Sequence, residues 1–366
     1  MLMMAMYIRD FFVRSFFIIF SKKKIKKISG VFSIVFTHNM GGGTEKYLKG
    51  QLKKEVNDCL FITNYPLIID FYVIKYEGRK YLYTLARLKK ILLGLQTSEI
   101  IINSLVFFRK RQEILNIIKD LKSKNDCKLT VLFHDFYPVC PNYTLFCNGK
   151  NCTEYCSKEE ILDYKKSWSK IFDCADELRT FSNSSREILL GFIPEYSQKI
   201  TVIPHSVEYL KNITPVQYSS IPPLKVGIVG FINSEIKGSE ILRRLSDNLD
   251  LYILGGTSIR KKGINKLGRY SSIETLKELI EKNKITVILF SSVWAETFSY
   301  VVSEIMALGL PVVCFSVGAQ QEKIEKYEKG VICQSFDTND IISAINKAYL
   351  FYSLESSSMS VVDIKK

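Results

Sequence analysis

Thr286-Val-Ile-Leu-Phe290, Trp294-Ala-Glu-Thr-Phe-Ser-Tyr-Val-Val-Ser-Glu304 and Pro311-Val-Val-Cys-Phe315 follow one another within thirty residues. The outer two are short apolar runs of strand length. Between them Val301, Val302, Ile305, Met306 and Leu308 recur with helical period, Gly309 can end the helix, and Pro311 forbids its continuation. The reading is a strand, a helix and a second strand, the repeating unit of a parallel sheet covered by helices. It places Glu296 in the loop before the helix and Glu304 on the helix, with seven residues between them. Were the intervening residues all helical, eight steps of about 1.5 Å would part the two carboxylates by roughly 12 Å. A nucleotide sugar fits that span: ribose at one acid, transferred sugar at the other, and pyrophosphate between them against the positive helix N-terminus.

Working outward, the same alternation runs through most of the chain. Val31–Phe36 reads as a strand, 44–55 as a helix, and 59–63 and 71–75 as strands. A strand over 99–103, a helix over 110–124 and a strand over 128–133 follow, and then a cysteine-rich loop. Beyond it come a helix over 158–172, a strand over 178–181, a helix from Ser184 and a strand over 199–203. Ile213-Thr-Pro-Val-Gln-Tyr-Ser-Ser-Ile-Pro-Pro223 carries three prolines and breaks the pattern, so it is expected to link two domains. Strands over 224–229, 251–254 and 286–290 then alternate with helices over 238–249 and 273–282, and a last helix over 338–351 precedes a polar tail. The expected domains are 28–212 and 224–352, flanked by a basic segment 1–27 and a tail 353–366.

The 366 residues, 47% of them apolar, are enough for two ordinary cores and exclude a disordered chain. The 51 basic and 37 acidic residues leave a net charge of +14, which favours anionic partners: nucleic acid, a lipid surface or a diphosphate. Residues 1–54 hold eleven Lys or Arg against Asp10 and Glu45, and Lys22-Lys-Lys-Ile-Lys-Lys27 directly follows Phe11-Phe-Val-Arg-Ser-Phe-Phe-Ile-Ile-Phe20. That apolar run is too short to span a membrane, and its charge lies on the wrong side for a secretory signal. Two readings stand: an interfacial segment resting on anionic lipid, or a helix packed on the body with solvated lysines. Nine cysteines without a signal peptide imply free thiols in a reducing compartment. Cys140, Cys147, Cys152 and Cys156 lack the paired spacing of a zinc ribbon, so a loop carrying thiols is expected rather than a metal site.

Three further segments carry chemistry. His38-Asn-Met-Gly-Gly-Gly-Thr-Glu45 follows the first strand and opens a helix, where Gly42 and Gly43 let backbone amides approach an anion. Lys46 stands where the third glycine of a dinucleotide fingerprint would be, which disfavours hydride transfer. His134, in Phe133-His-Asp135, ends a strand, where ligands gather in open parallel sheets. Lys237 lies in the loop that follows the strand ending at Val229 and can neutralise a phosphate.

Taken in order, Gly41-Gly-Gly-Thr-Glu45, His134-Asp135, Ile203-Pro-His-Ser-Val207, Lys237-Gly238, the E-x7-E pair with Ala307-Leu-Gly-Leu-Pro-Val-Val313, and Gly318 with Glu322 resemble the retaining glycosyltransferases of family 4. His134-Asp-Phe-Tyr-Pro-Val-Cys-Pro141 and Ser292–Tyr300 are most similar to members that build bacterial surface polysaccharides such as O-antigen and rhamnan. The resemblance implies a GT-B α/β architecture, two Rossmann-like doubly wound domains facing a central cleft. It implies transfer from a nucleoside-diphosphate sugar to a lipid-linked or polysaccharide acceptor, at the inner face of the cytoplasmic membrane. By motif, Glu304 would bind the ribose, Glu296 and His134 would lie at the donor sugar, and Lys237 with the amides of Thr297, Phe298, Gly42 and Gly43 would face the diphosphate. Gly318 would belong to the donor loop. No metal or other cofactor is implied, since a lysine, amides and helix dipoles can stabilise the departing diphosphate.

Two departures stand out. Phe231 follows Gly230 where many relatives carry an arginine that binds phosphate, and Ala319 replaces the second glycine of a Gly-Gly turn. Other readings of the whole chain are a nucleotide-sugar epimerase or hydrolase on the same fold, a basic nucleic-acid-binding protein, and a catalytically dead scaffold. The nucleic-acid reading lacks the interleaved basic and stacking aromatic residues it needs.

Overall fold

The computed structural model describes residues 30–38, 41–52, 58–65, 71–147, 149–152 and 159–352. The basic segment 1–27 and the tail 353–366 lie outside the described residues. Packing divides the chain into two units. The first takes the described residues up to 143 together with 159–181 and 188–205, and the second takes the described residues of 144–152, 182–187 and 206–352.

Unit 1 is built on β1 (Val31–Phe36), β2 (Cys59–Tyr65), β3 (Phe71–Tyr76), β4 (Arg79–Thr84), β5 (Gln96–Ile102) and β6 (Lys128–Leu132). A small hairpin, β7 (Phe146–Cys147) and β8 (Lys150–Asn151), falls in unit 2, and β9 (Glu177–Thr180) and β10 (Ile200–Val202) complete unit 1. The sheet order is β10-β9-β6-β5-β1-β2-β3-β4. Strand order reverses between β1 and β5, the doubly wound arrangement. The expectation of an all-parallel sheet fails at one edge, where β3 pairs antiparallel with both β2 and β4. The cause is local: Glu77 (φ 46) and Gly78 (φ 72) form a two-residue turn with both φ positive, the geometry that returns a twisted strand on its neighbour. Neither β4 nor the helix after it, α2 (Leu85–Leu92), was expected from the sequence.

The helix expected over 44–55 starts earlier, as α1 (Gly42–Tyr47), and passes into a π-helical turn over Leu48–Leu52; residues 53–57 lie outside the described residues. The helix α3 (Arg111–Lys124) buries Ile114, Leu115, Ile117, Ile118 and Leu121, one apolar stripe of helical period. It is followed by α4 (Glu159–Cys174) and α5 (Asn183–Phe192).

Unit 2 contains β11 (Val226–Ile232), β12 (Leu251–Thr257), β13 (Ile264–Gly268), β14 (Val287–Phe290), β15 (Val312–Phe315) and β16 (Gly330–Cys333). Every pair is parallel and the order is β13-β12-β11-β14-β15-β16. Counted from β11 this is the doubly wound order 3-2-1-4-5-6, with its reversal between β11 and β14. All residues of β14 and β15 are buried, as a sheet covered on both faces requires. The helices are α6 (Ser239–Leu245), α7 (Ile273–Asn283), α8 (Tyr300–Ala307), α9 (Gly318–Ile324) and α10 (Thr338–Tyr349). Val302, Ile305 and Leu308, the apolar face read from the sequence, join Leu276, Ile280, Ile288 and Val312 in one core.

The proline-rich stretch 213–223 is strapped along unit 2. Val216 N–H donates to Leu308 O at 2.9 Å, and Ile213 and Val216 pack on the core. Tyr218 Oη donates to Ile285 O at 2.6 Å, and Tyr349 Oη donates to Pro222 O at 2.7 Å. Prolines cannot enter a sheet, but their carbonyls and the residues between them remain able to pair.

Candidate active site

The strand order of unit 2 reverses between β11 and β14, and doubly wound sheets bind ligands beyond the C-terminal ends of the strands at such a reversal. Chain leaving β11 makes a 3-10 turn over Glu235–Lys237 and then passes Gly238 at φ 81. A Cβ on Gly238 would stand 2.2 Å from Ser291 O, so glycine alone lets the two loops close on each other. Val293 N–H donates to Ile236 O at 3.0 Å and Ser291 Oγ to Lys237 O at 2.8 Å. That zipper brings Lys237 Nζ onto Glu296 Oε1 as an ion pair. The lysine side chain is 35% exposed and the glutamate side chain 12%, so the lysine is the more open to solvent of the two. Ser292 Oγ lies 3.1 Å from the same carboxylate oxygen.

The backbone of Glu296 is held from α9. Its N–H donates to Gln320 Oε1 (3.2 Å), its carbonyl accepts from Ala319 N–H (2.8 Å), and Gln320 Nε2 donates to Trp294 O (2.8 Å). Gly318, at φ 65, lies under this strand of chain; a Cβ there would meet Ala295 Cα at 2.6 Å. Thr297 and Phe298 are buried, and Ser299 turns the chain into α8 with φ 57 and ψ 85. Residues 297–299 are therefore not helical, so the helical spacing computed for the two acids does not apply over the whole interval. Glu304 lies in the second turn of α8, buried, and accepts a hydrogen bond from Tyr209 Oη at 2.8 Å. Burial, followed by the Glu304 carboxylate, holds the Tyr209 phenol protonated far above the ordinary tyrosine range.

Unit 1 has its own cluster at the reversal between β1 and β5. Thr37, Asn103 and His134 leave three strand ends: Asn103 Nδ2 donates to Thr37 Oγ1 at 2.8 Å, and His134 Nε2 lies 2.8 Å from Asn103 Oδ1. With the amide nitrogen engaged on Thr37, the amide oxygen faces the ring and His134 Nε2 is the donor. The ring stacks on Phe181 (4.5 Å between centroids, 24°) and meets Tyr47 of α1 edge-on at 4.9 Å. Burial, with a smaller push from His38, lowers the His134 pKa to about 3, so the imidazole stays neutral across the physiological range. Burial raises the neighbouring Asp135 to about 7, against a hydrogen bond from Tyr137 N–H. Gly41, the N-cap of α1, and Gly42, its first residue, take positive φ, 79 and 77, and Gly43 follows inside the helix. His205, quoted within the Ile203–Val207 motif but given no role of its own, packs 4.0 Å from Phe181 and 4.6 Å from Tyr47 between ring centroids.

Within unit 2 Lys237, Glu296, Thr297 and Phe298 lie in the loops after β11 and β14, Glu304 on α8 and Gly318 at the start of α9; within unit 1 the structure joins His134 to α1 through Tyr47. Tyr209, Gln320 and Lys323 were missed. Of these only Tyr209 carried a sequence signal, as the aromatic residue just beyond the Ile203–Val207 motif. Among the described cysteines of the loop, Cys140 is buried, Cys147 exposed and Cys152 half-buried, all as free thiols, and Cys156 lies outside the described residues. Among the described residues no group of three or more His, Cys, Asp or Glu is arranged to hold a metal ion, and no helix is long and apolar enough to cross a membrane.

Residues 217–355 match the family of glycosyl transferases, group 1, and the architecture is the two-domain α/β fold of the GT-B glycosyltransferases. Among solved structures the chain is similar to HepE of Anabaena in complex with UDP (14% identity, TM-score 0.55, covering 87% of this chain and 89% of that one). It is also similar to sucrose-phosphate synthase of Thermosynechococcus elongatus (16%, TM-score 0.57, 87% and 89%). A third similar structure is the lipopolysaccharide outer core galactosyltransferase WaaB in its apo form (13%, TM-score 0.52, 87% and 90%). At these identities the likeness is one of fold. No curated protein matches the sequence.

Proposed function

We propose that this chain transfers a hexosyl group from a nucleoside-diphosphate sugar to a lipid-linked or polysaccharide acceptor, with retention of configuration, in bacterial surface glycan synthesis. The observation that carries the reading is the Lys237–Glu296 pair at the switch point of unit 2, with the buried carboxylate of Glu304 in the second turn of the following helix. Without donor, each charge of the pair neutralises the other. A diphosphate arriving at Lys237 replaces one anion by another, so the ammonium is never left alone, and Glu296 is released to accept from the hydroxyls of the sugar. Glu304, oriented by Tyr209, accepts from the ribose hydroxyls, and the start of α8 faces the phosphates. During transfer the developing charge on the leaving diphosphate falls on Lys237 and backbone amides, which is where electrostatic stabilisation acts. HepE, of similar fold, was crystallised with UDP and with UDP-glucose, which supports a nucleotide-sugar donor here.

The resemblance further assigns His134 to the donor sugar and Gly42 and Gly43 to the diphosphate. A neutral imidazole donating through Nε2 would offer Nδ1 as an acceptor to a sugar hydroxyl; it is not a general base at neutral pH. Retention by front-face attack needs no enzymic nucleophile, and the anomeric configuration of the product is its check. The scheme uses no metal, so transfer is expected to persist in EDTA. Peripheral attachment to the cytoplasmic membrane through residues 1–27 completes the reading.

The deciding experiment compares sugar transfer by Glu296→Gln and Glu304→Ala with that by the parent protein, across UDP-, GDP-, dTDP- and CMP-sugars. Each variant is expected to lose roughly 100-fold or more in kcat/KM while keeping its near-UV spectrum, in line with removal of a group that acts on the transition state. Unchanged transfer by both variants would sink the proposal. Release of free nucleoside diphosphate without glycosylated acceptor would favour the hydrolase or epimerase reading instead.

A further inference from the structure

Lys323 belongs to none of the sequence motifs, yet it is wired into the turn that carries them. From α9 its Nζ donates to Ser299 O at 3.0 Å and to Ser303 Oγ at 2.6 Å, and it stands 3.5 Å from the centroid of the Phe298 ring. Ser299 is the residue through which the chain enters α8. Its φ of 57 is one that a residue with a side chain adopts only where its surroundings enforce it. The Ser299 hydroxyl does not cap the helix; it is buried without a hydrogen-bond partner. What fixes this turn from outside is the ammonium of Lys323, on the Ser299 carbonyl, on the Phe298 ring face and on the first turn of α8.

A cation in that place is poorly served by its surroundings. It is half-buried and it faces the positive end of a helix. The charged groups that face it are Glu296 on the turn, Glu304 on α8 and Glu322 on α9 itself. Tyr300 shares α8 with Glu304, and β15 and β16, which pack on α9, add only the thiols of Cys314 and Cys333. Of the three carboxylates, Glu296 is already paired with Lys237 and Glu304 accepts from Tyr209. An anion arriving beside this turn would supply the missing compensation.

We propose that Lys323 is the positioning residue of the donor turn: its ammonium form holds Phe298–Ser303 in the shape that receives a diphosphate, and binding of that diphosphate is coupled to its protonation. The inference rests on the nucleotide-sugar reading above. Geometry and titration agree, because burial, opposed by Glu296, Glu322 and Glu304, lowers the Lys323 pKa to about 7. The signs then diverge. The folded pKa lies below the unfolded value of 10.5, so the unfolded chain binds more protons between the two, and this group makes the protein more stable as pH rises from about 7 towards 10.5. A diphosphate favours the charged form, so its affinity falls over the same interval. A lysine with a purely structural role would not make affinity fall while stability rises.

The test is calorimetric binding of UDP, GDP, ADP and dTDP to the whole protein from pH 7 to 9, with unfolding midpoints measured in parallel. For the nucleotide that binds, Kd is expected to rise about 3- to 10-fold per pH unit, tenfold being the limit for one proton. Lys323→Met should bind roughly tenfold more weakly at pH 7 and show a flat profile. Lys323→Arg, whose guanidinium stays charged throughout, should bind well and also show a flat profile. It decides the matter even where Lys323→Met does not fold. A parent Kd that is flat with pH, or a slope that survives in Lys323→Arg, overturns the role of Lys323 while leaving the donor reading in place. If the parent binds none of the four nucleotides at any pH, the donor reading itself falls and this inference with it.

Discussion

Gly318→Ala tests whether the turn that leads into α8 is held from below by backbone contact. Two costs add at this position. Gly318 has φ 65, and a residue with a Cβ loses roughly 1–2 kcal/mol in that conformation. Its Cβ would also stand 2.6 Å from Ala295 Cα, 2.8 Å from Ala295 C and 2.8 Å from Glu296 N. These are backbone atoms, tied down by Ala319 N–H and Gln320 on either side of Glu296, so the clash cannot be relieved by turning a side chain aside. Overpacking of this kind costs about 1–3 kcal/mol, which brings the expected loss to roughly 2–5 kcal/mol. Gly42→Ala is the matched control. Its φ is 77 but nothing lies within 4 Å of a Cβ there, so only the conformational cost of roughly 1–2 kcal/mol is expected. The chain has two tryptophans, Trp168 in unit 1 and Trp294 in unit 2, so each unit can be followed through its own fluorophore. Urea unfolding of Gly318→Ala, read by Trp294 in a Trp168→Phe background, is compared with that of Gly42→Ala, read by Trp168 in a Trp294→Phe background. If Gly318→Ala loses no more stability than Gly42→Ala, the contact with Ala295 and Glu296 is not what requires glycine, and the reasoning is wrong.

Two other outcomes are expected. The His134 ring should show no titration between pH 5 and 8 by NMR, because burial holds its pKa near 3; a midpoint near 6.5 would mean that the ring is solvated and not locked on Asn103. The full-length protein should co-sediment with vesicles rich in anionic lipid and lose that binding as salt rises from 0.05 to 0.5 M, since about 1 kcal/mol per lysine near the surface is screened. A chain lacking residues 1–27 that binds the vesicles equally well would refute the role given to that segment.

Much of the fold was legible because its signals are short in range. The strands on either side of α8 announce themselves as unbroken apolar runs, and Val302, Ile305 and Leu308 carry the helical period that the core then uses. The antiparallel edge of unit 1 was also written locally, in Glu77-Gly78, but an isolated Glu-Gly pair is weak beside the usual Asn-Gly signal. The residues that hold the candidate site in shape were not legible. Tyr209 reaches Glu304 across 95 positions, Gln320 reaches Glu296 across 24, and Lys323 reaches Ser299 across 24. No periodicity encodes such pairings; they exist only once unit 2 has folded, the last two because α9 packs beside the turn.

The glycines show where sequence reasoning runs out in a more specific way. Gly42 and Gly318 look alike in the sequence, each a small residue ahead of a helix in a loop assigned to the donor, and both prove to have positive φ. Their physical reasons differ. Around Gly42 there is room, so its value lies in the backbone conformation and in an approach left open to a ligand. At Gly318 the room is already filled by Ala295 and Glu296, so the glycine is required by the protein itself, to let α9 press against the chain that carries the acid. The same pressure presents Ala319 N–H and Gln320 to Glu296 and, one turn further along α9, presents Lys323 to Ser299. Ala319, which stands where the resemblance leads one to expect a second glycine, sits where its N–H is used and its methyl is wholly buried, so packing accommodates it. The turn that carries Glu296 into α8 is accordingly a clamped element, and changes to its shape must pass through α9.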